Sequence, residues 1–148
     1  MSDKNRILIG IDPDIDKSGV AIDNCSTITL CILRFFNLFD MFKELKSLDI
    51  PMLVVVEGGW LNKGNWHKKK EGSAALNAKI GSHTGANHEV GRKIVEMLEY
   101  LEISHKVVRP TKSKVNAKLF KMITGINKRT NQEQRDAYML IHNLKIKK

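Results

Sequence analysis

Hydrophobic and polar positions along this chain alternate between strand-like runs and helix-like stripes. Residues 7 to 11, Ile-Leu-Ile-Gly-Ile, are almost continuously apolar, as in a buried strand. The run ends on Asp12, then Pro13 and Asp14 mark a turn, and Gly19 to Ile22 begins a second strand. Residues 27 to 36 are rich in β-branched and apolar types and predict a third strand. Three strands so close in sequence predict an antiparallel meander. Leu38, Phe42, Leu45 and Leu48 then recur at helical spacing, and Pro51 follows as a stop signal. Met52 to Val56 is the most β-prone run of the chain and ends on Glu57-Gly58-Gly59.

Residues 58 to 82 break both rhythms. They hold several glycines, both tryptophans and the tract Lys68-Lys69-Lys70, and they read as a long loop of the kind that is usually functional or mobile. A helix is predicted over about 84 to 102, with Val90, Ile94, Leu98 and Leu101 as its stripe. A strand follows over 105 to 109, ended by Pro110. A basic helix is predicted over 111 to 124, with Val115, Leu119 and Met122 inward and Gly125 closing it. The last helix begins near Thr130 or Asn131 and runs to about Leu144. The order predicts one α/β domain over residues 1–148: a five-stranded mixed sheet, three antiparallel strands and then two parallel ones, flanked by helices.

Charge adds a partner to this picture. A formal net charge of +9 favours a polyanion, nucleic acid or an anionic membrane surface, over the alternative of a merely solvated basic surface. Cys25 and Cys31 form neither a disulfide framework nor a zinc pattern; they read as buried small hydrophobes in a reducing compartment. The first residues lack signal-peptide form and no apolar run approaches a membrane span, so the expectation is a soluble, intracellular, cytoplasmic protein.

The candidate chemistry is a set of carboxylates. Asp12 and Glu57 each end a predicted central strand, where the working crevice of an open α/β sheet lies. Glu133 and Asp136 are three apart on the last helix and share a face. The apolar run after Asp136 favours an inward Asp136. Thr130-Asn131-Gln132-Glu133 also fits a capping box, so Glu133 has two available roles that do not exclude each other. Asp14 and Asp16 read as turn residues. Four such acids suit Mg²⁺, which takes oxygen ligands from a few carboxylates and substrate phosphates. Two ions roughly 3.5–4 Å apart are the usual arrangement for in-line displacement at phosphorus.

In these same places the chain resembles the RuvC-type Holliday-junction resolvases of the ribonuclease H-like nuclease fold. Gly10-Ile11-Asp12-Pro13 with Ser18-Gly19 resembles the first motif, and Val55-Val56-Glu57 the second. The stretch from Val108 to Lys114, followed by Thr124-Gly125, resembles the third region, and Glu133-x-x-Asp136-Ala137 the closing acidic motif. The resemblance spans nearly the whole chain and implies a structure-selective endonuclease that resolves four-way junctions and other branched DNA. It implies Asp12, Glu57, Glu133 and Asp136 as metal-binding catalytic acids, with Mg²⁺, or Mn²⁺ in its place, at two ions per site. It further implies a homodimer, with the long helix near the interface, and phosphate contacts from Lys112, Lys114 and Lys118. Asp14 stands where that family usually has glycine.

Trp60 and Trp66 are either hydrophobic anchors or stacking platforms for bases, each stack being worth ~1–3 kcal/mol. Their glycine- and lysine-rich setting favours stacking for Trp60 and leaves Trp66 open. Lys68, Lys69 and Lys70 read as a phosphate-facing tract, against the alternative of a solvated loop. His67, His83 and His88 are of a type that can assist proton transfer, but the sequence shows no partner for them and they are assigned no role; His142 lies outside the motif and reads as structural or exposed. Two other functions remain consistent with the pattern: a YqgF-type RNA-processing nuclease on the same fold, and a non-catalytic junction-binding module.

Overall fold

Side chains alternate faces along the central strands, and that alternation builds two cores on one sheet. The computed structural model describes residues 5–62, 74–111 and 113–144. Its elements are β1 (Ile7–Asp12), β2 (Ser18–Asp23), β3 (Ile28–Leu33), α1 (Phe35–Lys46), β4 (Met52–Glu57), a 3₁₀ turn (Gly59–Leu61), α2 (Ala74–Tyr100), β5 (His105–Val108), α3 (Ala117–Thr124) and α4 (Gln132–Met139). The five strands lie in the order β3-β2-β1-β4-β5. β1, β2 and β3 pair antiparallel, while β4 pairs parallel with both β1 and β5. The mixed sheet is the one the hydrophobic pattern predicts.

On one face Ile7, Ile9 and Ile11 of β1 join Val54 and Val56 of β4 beneath α1 and α2, which contribute Leu38, Phe42, Ile94 and Leu98. On the other face Leu8 and Val55 lie beneath α3 and α4, which contribute Phe120, Ala137 and Tyr138, and beneath Ile141 in the turn after α4. Burying a residue such as Phe42 or Leu98 stabilises the fold by about 1.5–3 kcal/mol.

Helix limits and faces depart from the sequence reading in several places: β3 ends at Leu33 and α1 begins at Phe35, inside the predicted third strand, and α4 ends at Met139 and not near Leu144. α2 begins at Ala74, so residues 74 to 82 are helical and not part of the loop. Ala74, Ala75, Leu76 and Ala78 supply enough helix propensity to carry the helix through Gly81 and Gly85. α3 begins at Ala117, six residues later than 111, because Asn116 caps it by accepting from the Leu119 N–H at 2.8 Å. This changes its buried face. Phe120 is the buried residue, edge-on to the Tyr138 ring at 5.6 Å, while Leu119 and Met122 are exposed. Gly125 does close α3, in the left-handed conformation at φ 73°.

α4 is also shifted. Its capping box is Asn131 with Gln134, one residue beyond the Thr130–Glu133 pair. The box leaves Glu133 out of the cap. Finally, Cys25 is exposed in the β2–β3 turn at φ 76°, and Cys31 is half-buried, so the pair are not buried hydrophobes. Among the described residues no helix is long and apolar enough to cross a membrane.

Candidate active site

The parallel pairing of β1 with β4 sets Ile11 beside Val56. One residue further on, the strands end on Asp12 and Glu57, which lie side by side at the C-terminal edge of the sheet. By alternation both carboxylates share the face of Leu8 and Val55, the face covered by α4.

α4 reaches them because two glycines let it lie almost on the sheet. A Cβ on Gly10 would stand 2.0 Å from the Ala137 carbonyl oxygen, and one on Gly19 would stand 2.2 Å from that of Glu133. No real side chain fits in either gap. Gly19 is also the β2 residue paired with Asp12. The helix turn carrying Glu133 and Asp136 is therefore pressed toward the end of β1.

Asp136 is held at both oxygens. Its Oδ1 accepts from Gln132 Nε2 at 2.8 Å, and its Oδ2 accepts from Lys114 Nζ at 2.8 Å. The Asp136 side chain is 11% exposed and that of Lys114 is 55% exposed. Arg135, buried beside it, donates to Val115 O at 2.9 Å, to Thr130 O at 2.8 Å and to Gln132 Oε1 at 3.1 Å. Arg135 thus ties the segment that carries Lys114 to the first turn of α4. Glu133 is exposed on that same turn.

The electrostatics follow from this crowding. Burial first, then repulsion from Glu57, Asp136 and Glu133, pushes the Asp12 carboxyl up to about 8, with Lys114 opposing. Burial also raises Glu57, with repulsion from Asp136 adding and attraction from Lys114 subtracting. Burial works against the Lys114 ammonium, but its bond to Asp136 and the attraction of Asp136, Glu57 and Asp12 outweigh it and raise that group. Lys114 is thus the countercharge for three acids at once. Among the described residues, no group of three or more His, Cys, Asp or Glu side chains is disposed to hold a metal ion as it stands.

Glu57 borders two clefts. One of about 410 Å³ is lined by Glu57, Arg109, Thr111, Lys114 and Asp136. A smaller one of about 160 Å³ is lined by Asp12, Glu57, Trp60, Thr84, Asn87 and His88. The α2 residues in the second cleft have no place in the sequence reading. Their one signal is a polar stripe, with Thr84 and His88 a turn apart on the predicted helix. Asn87 Oδ1 accepts from the Ile15 N–H at 2.8 Å, fixing the turn that follows Asp12. Asp14 serves the same turn, its Oδ2 accepting from the N–H groups of Asp16 and Lys17 at 3.0 and 3.3 Å.

Trp60 is half-buried against the α1/α2 core. Its ring packs on Gly91, edge-on to His88 at 6.4 Å, with the Arg92 guanidinium 5.6 Å from the ring centre. Lys118 is exposed on α3. Trp66, Lys68, Lys69, Lys70 and Lys112 lie outside the described residues.

No protein-family model and no curated protein sequence matches this chain. Solved structures do. A Thermus thermophilus RuvC in complex with a Holliday junction substrate superposes with a TM-score of 0.50 at 14% identity, over 92% of this chain and 90% of that one. The fold is RuvC-like. A second Thermus thermophilus RuvC structure gives a TM-score of 0.46, also at 14% identity, over 90% of each chain. The RuvC-like fold agrees with the ribonuclease H-like class read from the sequence.

Proposed function

We propose that this protein is a divalent-metal-dependent DNA endonuclease that resolves four-way junctions and related branched DNA. One observation carries the reading. Three separate elements bring Asp12, Glu57 and Asp136 to one edge of the sheet, where burial first, and then repulsion from Glu57 and Asp136, raises the Asp12 carboxyl. A cluster of half-buried acids is costly without a cation to neutralise it. The RuvC-like fold supports the substrate class, since the Thermus thermophilus structure holds a Holliday junction. The net charge of +9 supports a polyanionic partner.

The donor set fits Mg²⁺ or Mn²⁺ in kind, because every candidate ligand is a carboxylate oxygen. Asp12, Glu57, Asp136 and Glu133 would hold two ions. When bound, these supply activation of the attacking water and stabilisation of the leaving oxygen. The protein's own part is positional. Gly10 and Gly19 set the depth of α4, and Asn87 fixes the turn after Asp12. Lys114 and Lys118 bind backbone phosphates near the scissile bond, and the segment from 63 to 73 adds Trp66 and the lysine tract. Two copies of the chain, one at each symmetric strand, nick a junction in pairs.

A non-catalytic junction-binding module is the second reading. The observation that favours it is the ion pair already closed between Lys114 and Asp136. Cleavage of a synthetic four-way junction, a flap and a plain duplex, each with and without Mg²⁺, separates the two. The expected outcome is metal-dependent nicking with preference for the junction. Asp12→Asn and Glu57→Gln should each lower the rate at least about 10³-fold, roughly 4 kcal/mol, while junction binding survives. Cleavage at the wild-type rate by either variant rules out the acid assignment.

A further inference from the structure

The two oxygens of Asp136 are held in unequal ways. The bond from Gln132 to Oδ1 is backed by a network. Gln132 Nε2 also reaches Val115 O at 3.3 Å, its Oε1 accepts from buried Arg135, and Arg135 is anchored on Val115 O and Thr130 O. The bond from Lys114 to Oδ2 is backed only by the flexible stem of a half-exposed lysine. Asp136 itself is nearly buried and fixed. If one of the two bonds opens, it is the one to Lys114.

We propose that Lys114 and the incoming divalent cation exchange places on Asp136 Oδ2, with Gln132 as the positioning residue that holds the carboxylate through Oδ1. This rests on the metal-dependent reading above. Before exchange, the ammonium neutralises Asp136 and attracts Glu57 and Asp12. A divalent ion on the same oxygen would repel the ammonium and take over that neutralisation. The displaced lysine, on its four-carbon stem, faces the larger cleft and is available to a phosphate oxygen there. Metal entry thus creates a phosphate contact. By linkage, a bound phosphate that captures Lys114 must tighten metal binding by the same factor.

The test is Mn²⁺ affinity of the full chain without DNA, read by isothermal titration calorimetry and by electron paramagnetic resonance of unbound Mn²⁺. Lys114→Met removes the competitor and should bind Mn²⁺ at least about tenfold more tightly than wild type, given the strength of a close, partly buried charge interaction. Lys114→Arg keeps the competitor and should stay within about threefold of wild type. Lys118→Met removes a charge with no bond to the acids and should leave the DNA-free Mn²⁺ affinity at the wild-type value. Gln132→Met frees Oδ1; it should weaken Mn²⁺ binding several-fold and lower kcat on a junction with KM unchanged.

Unchanged Mn²⁺ affinity in Lys114→Met overturns the exchange, as does an equal gain in Lys118→Met. Junction cleavage by wild type alongside either of those results leaves the nuclease reading standing. Tighter Mn²⁺ binding in Lys114→Met, with no cleavage by wild type, supports the exchange and removes the nuclease. Wild type that binds no Mn²⁺ overturns both.

Discussion

On the α1/α2 face the sheet is covered by helices of 12 and 27 residues, and every buried side chain that they contribute is apolar. On the α3/α4 face the helices are 8 residues each, and their buried set includes Arg135. Asp136, Gln132 and Lys114 crowd the edge of that second face. The same strands serve both, because alternation sends Ile9 and Ile11 one way and Leu8 and Asp12 the other. The first face accumulates stability. The second accepts a cluster of like charges that opposes folding, and holds it with short helices and a shared hydrogen-bond network. Stability and chemistry are thus assigned to opposite sides of one sheet, so a change on one side should leave the other measurably intact.

Phe42→Ala tests that division with the largest effect. It leaves a cavity in the α1/α2 core and should lower stability by about 3–5 kcal/mol in urea denaturation. Nicking per folded molecule should stay within about twofold of wild type. A matching loss of activity per folded molecule would show that the faces are coupled.

Asp12→Asn makes the opposite prediction: activity falls but the metal-free protein becomes more stable. The sign follows from the raised carboxyl, from 3.8 to about 8. Below the unfolded value neither state is ionised, and the full stability is present. As pH rises toward the folded value, the unfolded chain loses a proton that the fold retains, and stability is lost through that window. Asparagine cannot ionise. Its advantage should be absent near pH 3.5 and reach on the order of a few kcal/mol at pH 8.5, read as a difference in thermal midpoint without metal.

Gly10→Ala sharpens the comparison at its boundary. A methyl group there meets the Ala137 carbonyl. Overpacking of this kind should cost roughly 1–3 kcal/mol in urea denaturation. Unlike Phe42→Ala, it should also slow junction cleavage per folded molecule, at least about tenfold.

Much of the fold was legible because strands announce themselves by composition. Met52 to Val56 and the run from Ile7 to Ile11 had no competing interpretation, and both end on the acids that meet. Helix limits were less legible, for specific reasons. Thr130–Glu133 and Asn131–Gln134 are capping patterns one residue apart, and only packing of α4 chooses between them. Residues 74 to 82 lack an apolar stripe because that part of α2 is largely exposed, so periodicity is silent there. Leu119 and Met122 looked inward because Val115 set the phase, yet Val115 lies before the helix starts. At the site, the acids were legible as residues that apolar surroundings do not explain. Gln132, Asn87 and His88 were not, since a polar residue on a helix gives no sign of what it faces until the neighbouring elements are in place.

The two glycines beneath α4 also constrain how the site can change. Glu133 and Asp136 ride on one short rigid rod whose height above the sheet is set by Gly10 and Gly19. The rod has no room to descend, so any alteration at either glycine can only lift it. Both acids then rise together, by about the thickness of one methyl group, while Asp12 and Glu57 stay fixed in the sheet. The spacing of the site is therefore a single mechanical coordinate with a hard stop at one end. Substitutions at those two positions offer a graded way to open it from the other.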